Sequence, residues 1–271
     1  LLLLGNIFTD INLGIFTAEL NLDCVISATA ERITIRRHHY EEVTFEDFLL
    51  GLLHADIRQR PFDPPIVHNH VAPFEPKPDA PVTIARLFQQ IDDFLADDTL
   101  VISDVGDALF GAADLHIHKR TEFLGPAYYA SMGFSVPAAV GAQLANPKRR
   151  PLVLVGDGAF QMTGIELSTA LRYHLNPIVV LLNNRGYGTE RHMQDGPYND
   201  LQPWRYSKLP ELLGGGKGWE VRTEGELAKA LEEARENTST FSLVEVHLAP
   251  LDRSPALDRL AKRIQKRLAG Q

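Results

Sequence analysis

The sequence predicts an α/β fold: a doubly wound parallel sheet, preceded by part of a second α/β domain. Three observations carry this. The runs PLVLVG (151–156) and IVVLLN (178–183) are continuously apolar, as strands covered on both faces are. From residue 82 onward such runs alternate with amphipathic stretches, the order that builds a parallel sheet. Between Arg58 and Pro81 stand seven prolines, which read as an extended linker (58–81) between a partial middle domain (1–57) and a larger one (82–271).

In the first part, LLLL (1–4) reads as a buried strand closed by Gly5-Asn6, and Asp10 to Gly14 as a turn. Residues 23–28 and 32–36 are short strand candidates. Thr44, with Asp47 three residues later, opens a helix to about Ala55. His38 and His39 are adjacent on or after a strand, so they face opposite ways and make a poor ligand pair. His68 and His70, two apart in the linker, would need further ligands to form a metal site and read as exposed.

In the second part, Ile84, Leu87, Phe88, Ile91, Phe94 and Leu95 recur at helical spacing. TLVISD (99–104) is a strand ending in polar and glycine residues. FSVPAAVGAQLAN (134–146) is a helix of small residues suited to close packing on a sheet, ended by Asn146-Pro147. Thr163 and Glu166 form a capping-box pair, which places the next helix from there to about His174. Residues 185–218 read as an irregular covering. The glycine-rich LGGGKG (213–218) leads into a strand-like segment and so reads as a connector, not a phosphate loop. A capped helix from Thr223 to about Glu236, a strand at 242–248 and an amphipathic helix at 254–268 complete the chain.

Composition bounds the function. With 271 residues, 44% hydrophobic and 23% charged, the chain has an ordinary globular balance. Its net charge of -8, with no basic face, argues against a nucleic-acid partner. No apolar segment is long enough for a membrane span, and no signal-peptide pattern is present. The single Cys24 excludes an internal disulfide; it reads as a buried thiol and fits a reducing, cytoplasmic setting. The chain opens on apolar residues with no methionine, as if from within a larger protein.

The chemistry concentrates in residues 152–190. One apolar strand ends in Gly156-Asp157-Gly158 and the next in Asn183-Asn184, and Asp157 and Asn184 are 27 positions apart. A βαβ unit occupies that length and returns both strand ends to one edge of the sheet. A carboxylate, an amide oxygen and the Gly186 carbonyl then offer three hard oxygens to a cation such as Mg²⁺, which keeps further positions for phosphate and water. Gly156 and Gly158 allow close backbone approach to a phosphate. At this point a metal–diphosphate site and a plain pair of strand-end turns both stand.

GDG, 24 residues, then NN, with a strand before each half, resembles the thiamin-diphosphate fingerprint. The wording GDGAFQMTGIEL…NNRGYGTE is similar to the 2-oxo acid decarboxylases, among them those for pyruvate, indolepyruvate and phenylpyruvate. The likeness is good over about 83–250. It implies the thiamin-diphosphate-binding fold, thiamin diphosphate and Mg²⁺ as cofactors, and Asp157, Asn184 and the Gly186 carbonyl as metal ligands. It implies Gly106, Asp107, Gly156, Gly158 and Ala159 against the diphosphate. The Ala130 carbonyl would face the cofactor's 4′-amino group, with Met132 propping the cofactor in its bent shape. Glu190, six residues after Asn184, matches the acid these decarboxylases place over the thiazolium.

The implied activity is non-oxidative decarboxylation of a 2-oxo acid, aromatic by wording, to an aldehyde, in a homodimer or homotetramer. A carboligase of the acetolactate-synthase type, or a non-catalytic fragment that only binds the cofactor, are the alternatives. Arg185 and Gly188-Thr189 depart from the commoner loop wording, Thr189 being smaller and more polar than the usual isoleucine, which touches pocket size. The family's N-terminal domain, which supplies a glutamate and a histidine pair for cofactor activation, has no counterpart in these residues, so the chain alone is expected to be inactive.

Overall fold

In the computed structural model, residues 1–10, 12–58, 61, 73–116 and 121–269 are described. His68 and His70 lie outside them. The chain divides into two compact units, Leu1–His68 with Arg263–Gln271, and Asn69–Lys262.

The first unit holds a four-stranded mixed sheet in the order β1 (Leu2–Leu4), β2 (Ile26–Ala28), β3 (Ile33–Ile35), β4 (His38–Tyr40). β1 runs parallel to β2, and β2–β3 and β3–β4 are antiparallel hairpins. Arg36, at φ +57°, turns the second hairpin. Helix α1 (Phe45–His54) starts as the sequence indicates: Thr44 Oγ1 accepts from the Asp47 amide, a cap that stabilises the helix by about 1 kcal/mol. Two expectations are corrected. Leu1, Leu2 and Leu4 are exposed, because β1 is paired on one edge only and little covers its faces. Cys24 is exposed too, since it sits in a 3-10 turn (Leu22–Cys24) ahead of β2 and not inside the strand. The small core is Val25, Ala28 and Ile33. His38 and His39 are both exposed on β4, and His39 Nδ1 lies 3.1 Å from Thr34 Oγ1.

The second unit is built on six parallel strands, introduced here in chain order with their helices. α2 (Ile84–Phe94) precedes β5 (Leu100–Ser103), α3 (Asp107–Ala112), β6 (Glu122–Leu124), α4 (Ser135–Ala145) and β7 (Pro151–Gly156). Then come α5 (Asp157–Thr163), α6 (Leu167–Arg172), β8 (Ile178–Asn183), α7 (Gly188–Met193), α8 (Leu209–Leu213), β9 (Lys217–Val221), α9 (Glu224–Glu236), β10 (Ser242–His247) and, as far as Lys262, α10 (Pro255–Ala269). The sheet order is β6-β5-β7-β8-β10-β9.

Period-two alternation explains its two cores. Leu152, Leu154, Val180 and Val244 face one layer with Leu87 and Ile91 of α2 and Leu227 and Leu231 of α9. Val153, Val155, Val179 and Leu243 face the other with Val136 and Ala139 of α4 and Phe160 of α5. The chain leaves β5 for β6 at one edge, then crosses back to β7 on the other side of β5. The connections after β5 and β7 therefore diverge, and a crevice opens at their carboxyl ends.

Within the second unit, segment 73–81 is held by Glu224, whose carboxylate accepts from the Lys77 amide and from Nε and Nη2 of Arg86. At the opposite edge from the crevice, the Arg150 guanidinium donates to the carbonyls of Asn176, Ala234, Arg235 and Asn237. Burial lowers its pKa to about 10.

Two further expectations are corrected. The helix after β7 begins at Asp157, not Thr163: Gly156 is still extended (ψ 156°) and the next residue is already helical. Thr163 gives its hydroxyl to the Gly133 carbonyl and caps nothing. Residues 185–218 are irregular only in part, since α7, α8 and the start of β9 lie there. Gly214, at φ +75°, ends α8 in the left-handed conformation that favours glycine, which makes LGGGKG a connector.

Candidate functional site

The site is assembled from the segments just past β5, β7 and β8, at the crevice. After β5 comes Asp104, wholly buried. Its carboxylate accepts from the amides of Val105 (3.0 Å), Gly133 (3.1 Å) and Ser135 (2.9 Å) and from Ser135 Oγ (2.7 Å). This one side chain ties the loop after β5 to the turn before α4. Gly106 is next but one, at φ +77°, ψ -150°, a region close to glycine-only. Asp107 opens α3; one carboxylate oxygen accepts from the Ser254 amide at 2.7 Å, and the other is buried with no partner. Burial raises its pKa.

The turn 126–133 carries Ala130 and Met132. Ala130 adopts φ +51°, its amide bonded to the Pro126 carbonyl, and both Ala130 and Met132 are exposed. Tyr128, Tyr129, Met162 and Ile165 are exposed as well.

After β7, Asp157 is 1% exposed. Oδ1 accepts from the Gly158 amide at 2.8 Å, and Oδ2 from the Gly186 amide at 3.1 Å. Burial dominates all the same and raises its pKa to about 6. Gly158 and Ala159 are buried in the first turn of α5. A Cβ on Gly158 would overlap the Tyr187 ring, whereas one on Gly156 would meet open space.

At the end of β8, Asn183 is buried: Nδ2 donates to Glu245 Oε1 of β10 at 2.7 Å and Oδ1 accepts from the Arg185 amide. Asn184 is half-buried, its amide against Gly188, where a Cβ would strike Nδ2. Gly186 is buried and forms an isolated antiparallel bridge to Asp200 through Tyr187 N–H to the Asn199 carbonyl and Leu201 N–H to the Arg185 carbonyl. In a bridge of that pattern the central residue's own N–H and C=O point away from the partner segment. For Gly186 the N–H meets Asp157.

Glu190 lies in the first turn of α7 and is exposed. Its neighbour Thr189 reaches the loop after β5, since a Cβ on Gly106 would come within 3.2 Å of Thr189 Oγ1. The structure thus brings Gly106, Asp157, Gly158, Gly186 and Thr189 into one neighbourhood. Ala130 and Met132 are linked to it through Gly133 and Asp104.

Sequence reading missed Asp104, Asn183 with Glu245, and Arg191. Each acts by holding backbone, and only the Asn183-Asn184 doublet gave any local signal. The donor set of carboxylate, amide and carbonyl oxygens suits Mg²⁺. Asp157 is a buried carboxylate whose charge lacks a full counterpart, the condition a cation relieves. Among the described residues no cluster of three or more His, Cys, Asp and Glu is placed to hold a metal, which leaves the mixed oxygen set as the candidate. Among them, too, no helix is long and apolar enough to cross a membrane.

Comparison with known proteins places the chain in a family. Residues 104–246 match the family described as thiamine pyrophosphate enzyme, C-terminal TPP binding domain. The chain is 36% identical to indole-3-pyruvate decarboxylase of Azospirillum brasilense, over 98% of this chain and 48% of that protein. It is 32% identical to the alpha-keto-acid decarboxylase of Mycolicibacterium paratuberculosis, over 92% and 45%, and 37% identical to that of Mycobacterium bovis, over 64% and 32%. The chain thus spans about half the length of the first two relatives. Since the matched segment exceeds half of the 271 residues and holds the segments just past β5, β7 and β8, the chain belongs to the thiamine pyrophosphate enzymes and carries their C-terminal TPP-binding domain.

Proposed function

We propose that this chain holds Mg²⁺ and the diphosphate of thiamin diphosphate, and that the protein containing it decarboxylates a 2-oxo acid to an aldehyde. The observation that carries the reading is the hydrogen bond between Gly186 N–H and Asp157 Oδ2, which draws the two halves of the motif onto one buried carboxylate. Asp157, Asn184 and the Gly186 carbonyl hold the metal. Gly106, Asp107, Gly156, Gly158 and Ala159 lie against the diphosphate, and Ala130 and Met132 against the rest of the cofactor. The unpartnered oxygen of Asp107 and the glycine-only backbone of Gly106 support a ligand at that loop.

When bound, thiamin diphosphate supplies a carbanion nucleophile and an electron sink for the bond that loses CO₂. The chain's residues orient and exclude. Asp104 fixes the turn bearing Met132, Asn183 fixes the metal loop, and Glu190, in the first turn of α7, would hold the proton used in the acid–base steps beside the bound cofactor.

An aromatic substrate such as indolepyruvate or phenylpyruvate is supported by the name of the Azospirillum relative and by the small Gly188-Thr189 pair. A homodimer or homotetramer is supported by the exposed Tyr128, Tyr129 and Met132 beside the site. A cytoplasmic setting is supported by the lone, exposed thiol of Cys24. The test is product analysis with phenylpyruvate, indolepyruvate and pyruvate in the presence of thiamin diphosphate and Mg²⁺. With the full-length protein that contains this chain, aldehyde and CO₂ are expected; acyloin without aldehyde, or no turnover by that full-length protein, overturns the decarboxylase reading.

A further inference from the structure

We propose that Arg191 is a positioning residue: its guanidinium, laid across Gly186, fixes the loop Asn184–Gly186 against Asp157 and couples it to the helix that carries Glu190. This rests on the reading of that loop as the metal loop. Arg191 is the residue after Glu190 on α7, yet its side chain turns back and is only 9% exposed. Nη2 donates to the Arg185 carbonyl at 3.1 Å, to the Asn199 carbonyl at 3.5 Å and to Asp200 Oδ1 at 2.7 Å, and Nη1 donates to Asp195 Oδ1 at 3.3 Å. A Cβ on Gly186 would run into Nη2 and into the Asn199 carbonyl, so the guanidinium, the glycine and the 199–201 segment are stacked without space between them.

A cation this close to a metal loop needs a reason, because its charge opposes a second cation. Asp195 and Asp200 supply the neutralisation from its outer side. What is left is shape. A planar fork of five donors can grip two backbone carbonyls and two carboxylates at once, and an ammonium cannot. The cost is visible, for Nε is buried with no partner. Arg191 is thus a bracket with three arms, on the metal loop, on segment 195–200 and on α7. A shift at Gly186 is carried to Glu190 through the residue next to it.

The test uses the purified protein and its Arg191→Met, Arg191→Lys and Asp200→Asn variants, with two readouts. The first is Mg²⁺-dependent binding of thiamin diphosphate by calorimetry. Arg191→Met should raise the Mg²⁺ concentration for half-saturation about tenfold, as loss of an outer partner of a metal site does. Arg191→Lys should behave like Met, and Asp200→Asn should shift it in the same direction by less. The second readout is hydrogen exchange of the metal-free protein, in which Arg191→Met should speed exchange at Gly186 and Tyr187 about tenfold.

If wild type shows no Mg²⁺-dependent binding, the metal reading fails, and the coupling through Arg191 fails with it whatever the exchange rates. If wild type binds but Arg191→Lys restores its metal dependence, charge and not shape is at work and the bracket is overturned. Unchanged metal dependence and exchange in Arg191→Met overturn it as well. Should Arg191→Met fail to fold, Asp200→Asn decides: an unchanged Mg²⁺ half-saturation sinks the proposal.

Discussion

Gly186 donates its amide to Asp157 Oδ2 at 3.1 Å, across 29 residues of chain. The carboxylate is thereby fixed from both sides, by its own helix and by the loop after the neighbouring strand. Replacing Asp157 by Ala should abolish Mg²⁺-dependent binding of thiamin diphosphate while leaving the fold in place, as calorimetry and circular dichroism would report. Retained metal dependence would remove Asp157 from the ligand set.

The same carboxylate predicts a pH signature. Its pKa is raised from 3.8 to about 6, so in the metal-free protein the folded state holds its proton longer than the unfolded state. The sign comes from linkage: as pH rises from about 4 to about 6 the unfolded state ionises first, and folding is progressively disfavoured. The shift corresponds to on the order of 3 kcal/mol. Denaturation curves of wild type and Asp157→Ala, measured across that window without metal, should show wild type losing about that much stability relative to the variant as pH rises. A constant difference between them would contradict it.

At Gly106 the backbone itself is the constraint. Gly106→Ala would force φ +77°, ψ -150° on an alanine and press its Cβ to 3.2 Å from Thr189 Oγ1. The expected loss is about 1–3 kcal/mol of stability together with weaker diphosphate binding. Thr189→Ala should relieve only the contact, so the double variant should stay well below wild type in a thermal melt. Full recovery would mean that backbone strain is unimportant there.

Glu224 tests the attachment of segment 73–81. It is 3% exposed and bonds two arms of Arg86 and the Lys77 amide. The hydrogen bonds from Arg86, first of all, hold its pKa down to about 2. Its contribution is therefore present above the unfolded value near 4.5 and is lost as pH falls toward 2. Glu224→Ala leaves Arg86 without its main partner and should cost about 3 kcal/mol. Limited proteolysis should then cut between Pro73 and Pro81 faster than in wild type. Unaltered cleavage would show that other contacts hold the segment.

The parts of the fold legible in the sequence were those specified locally. The runs 151–156 and 178–183 are apolar because both faces are covered, and they lie where their pattern puts them. Thr44 and Thr223 cap helices as their spacing implies. β6 escaped because three exposed residues, Glu122, Phe123 and Leu124, carry no two-faced pattern. The start of α5 was misplaced because Thr163-Gly164-Ile165-Glu166 has the wording of a capping box, while the helix grows directly out of β7. α7 is six residues beginning with glycine, with no side-chain cap, and ties from Arg191 to the flanking loops, at Arg185 and Asp200, help hold it in place. In the candidate site, the approach of the loop after β8 to Asp157 was legible from motif spacing. Asp104 and Glu245 were not, since each serves residues dozens of positions away.

Arg150 gives the sheet a mechanical asymmetry. Its four carbonyl bonds stitch the edge opposite the crevice, joining the turn before β8 to the end of α9. One guanidinium thus joins the start of β7, the turn before β8 and the end of α9 at the end of the sheet away from residues 104–107, 126–133 and 184–200, so that losing it would strip four carbonyls of their donor without touching a loop of the crevice.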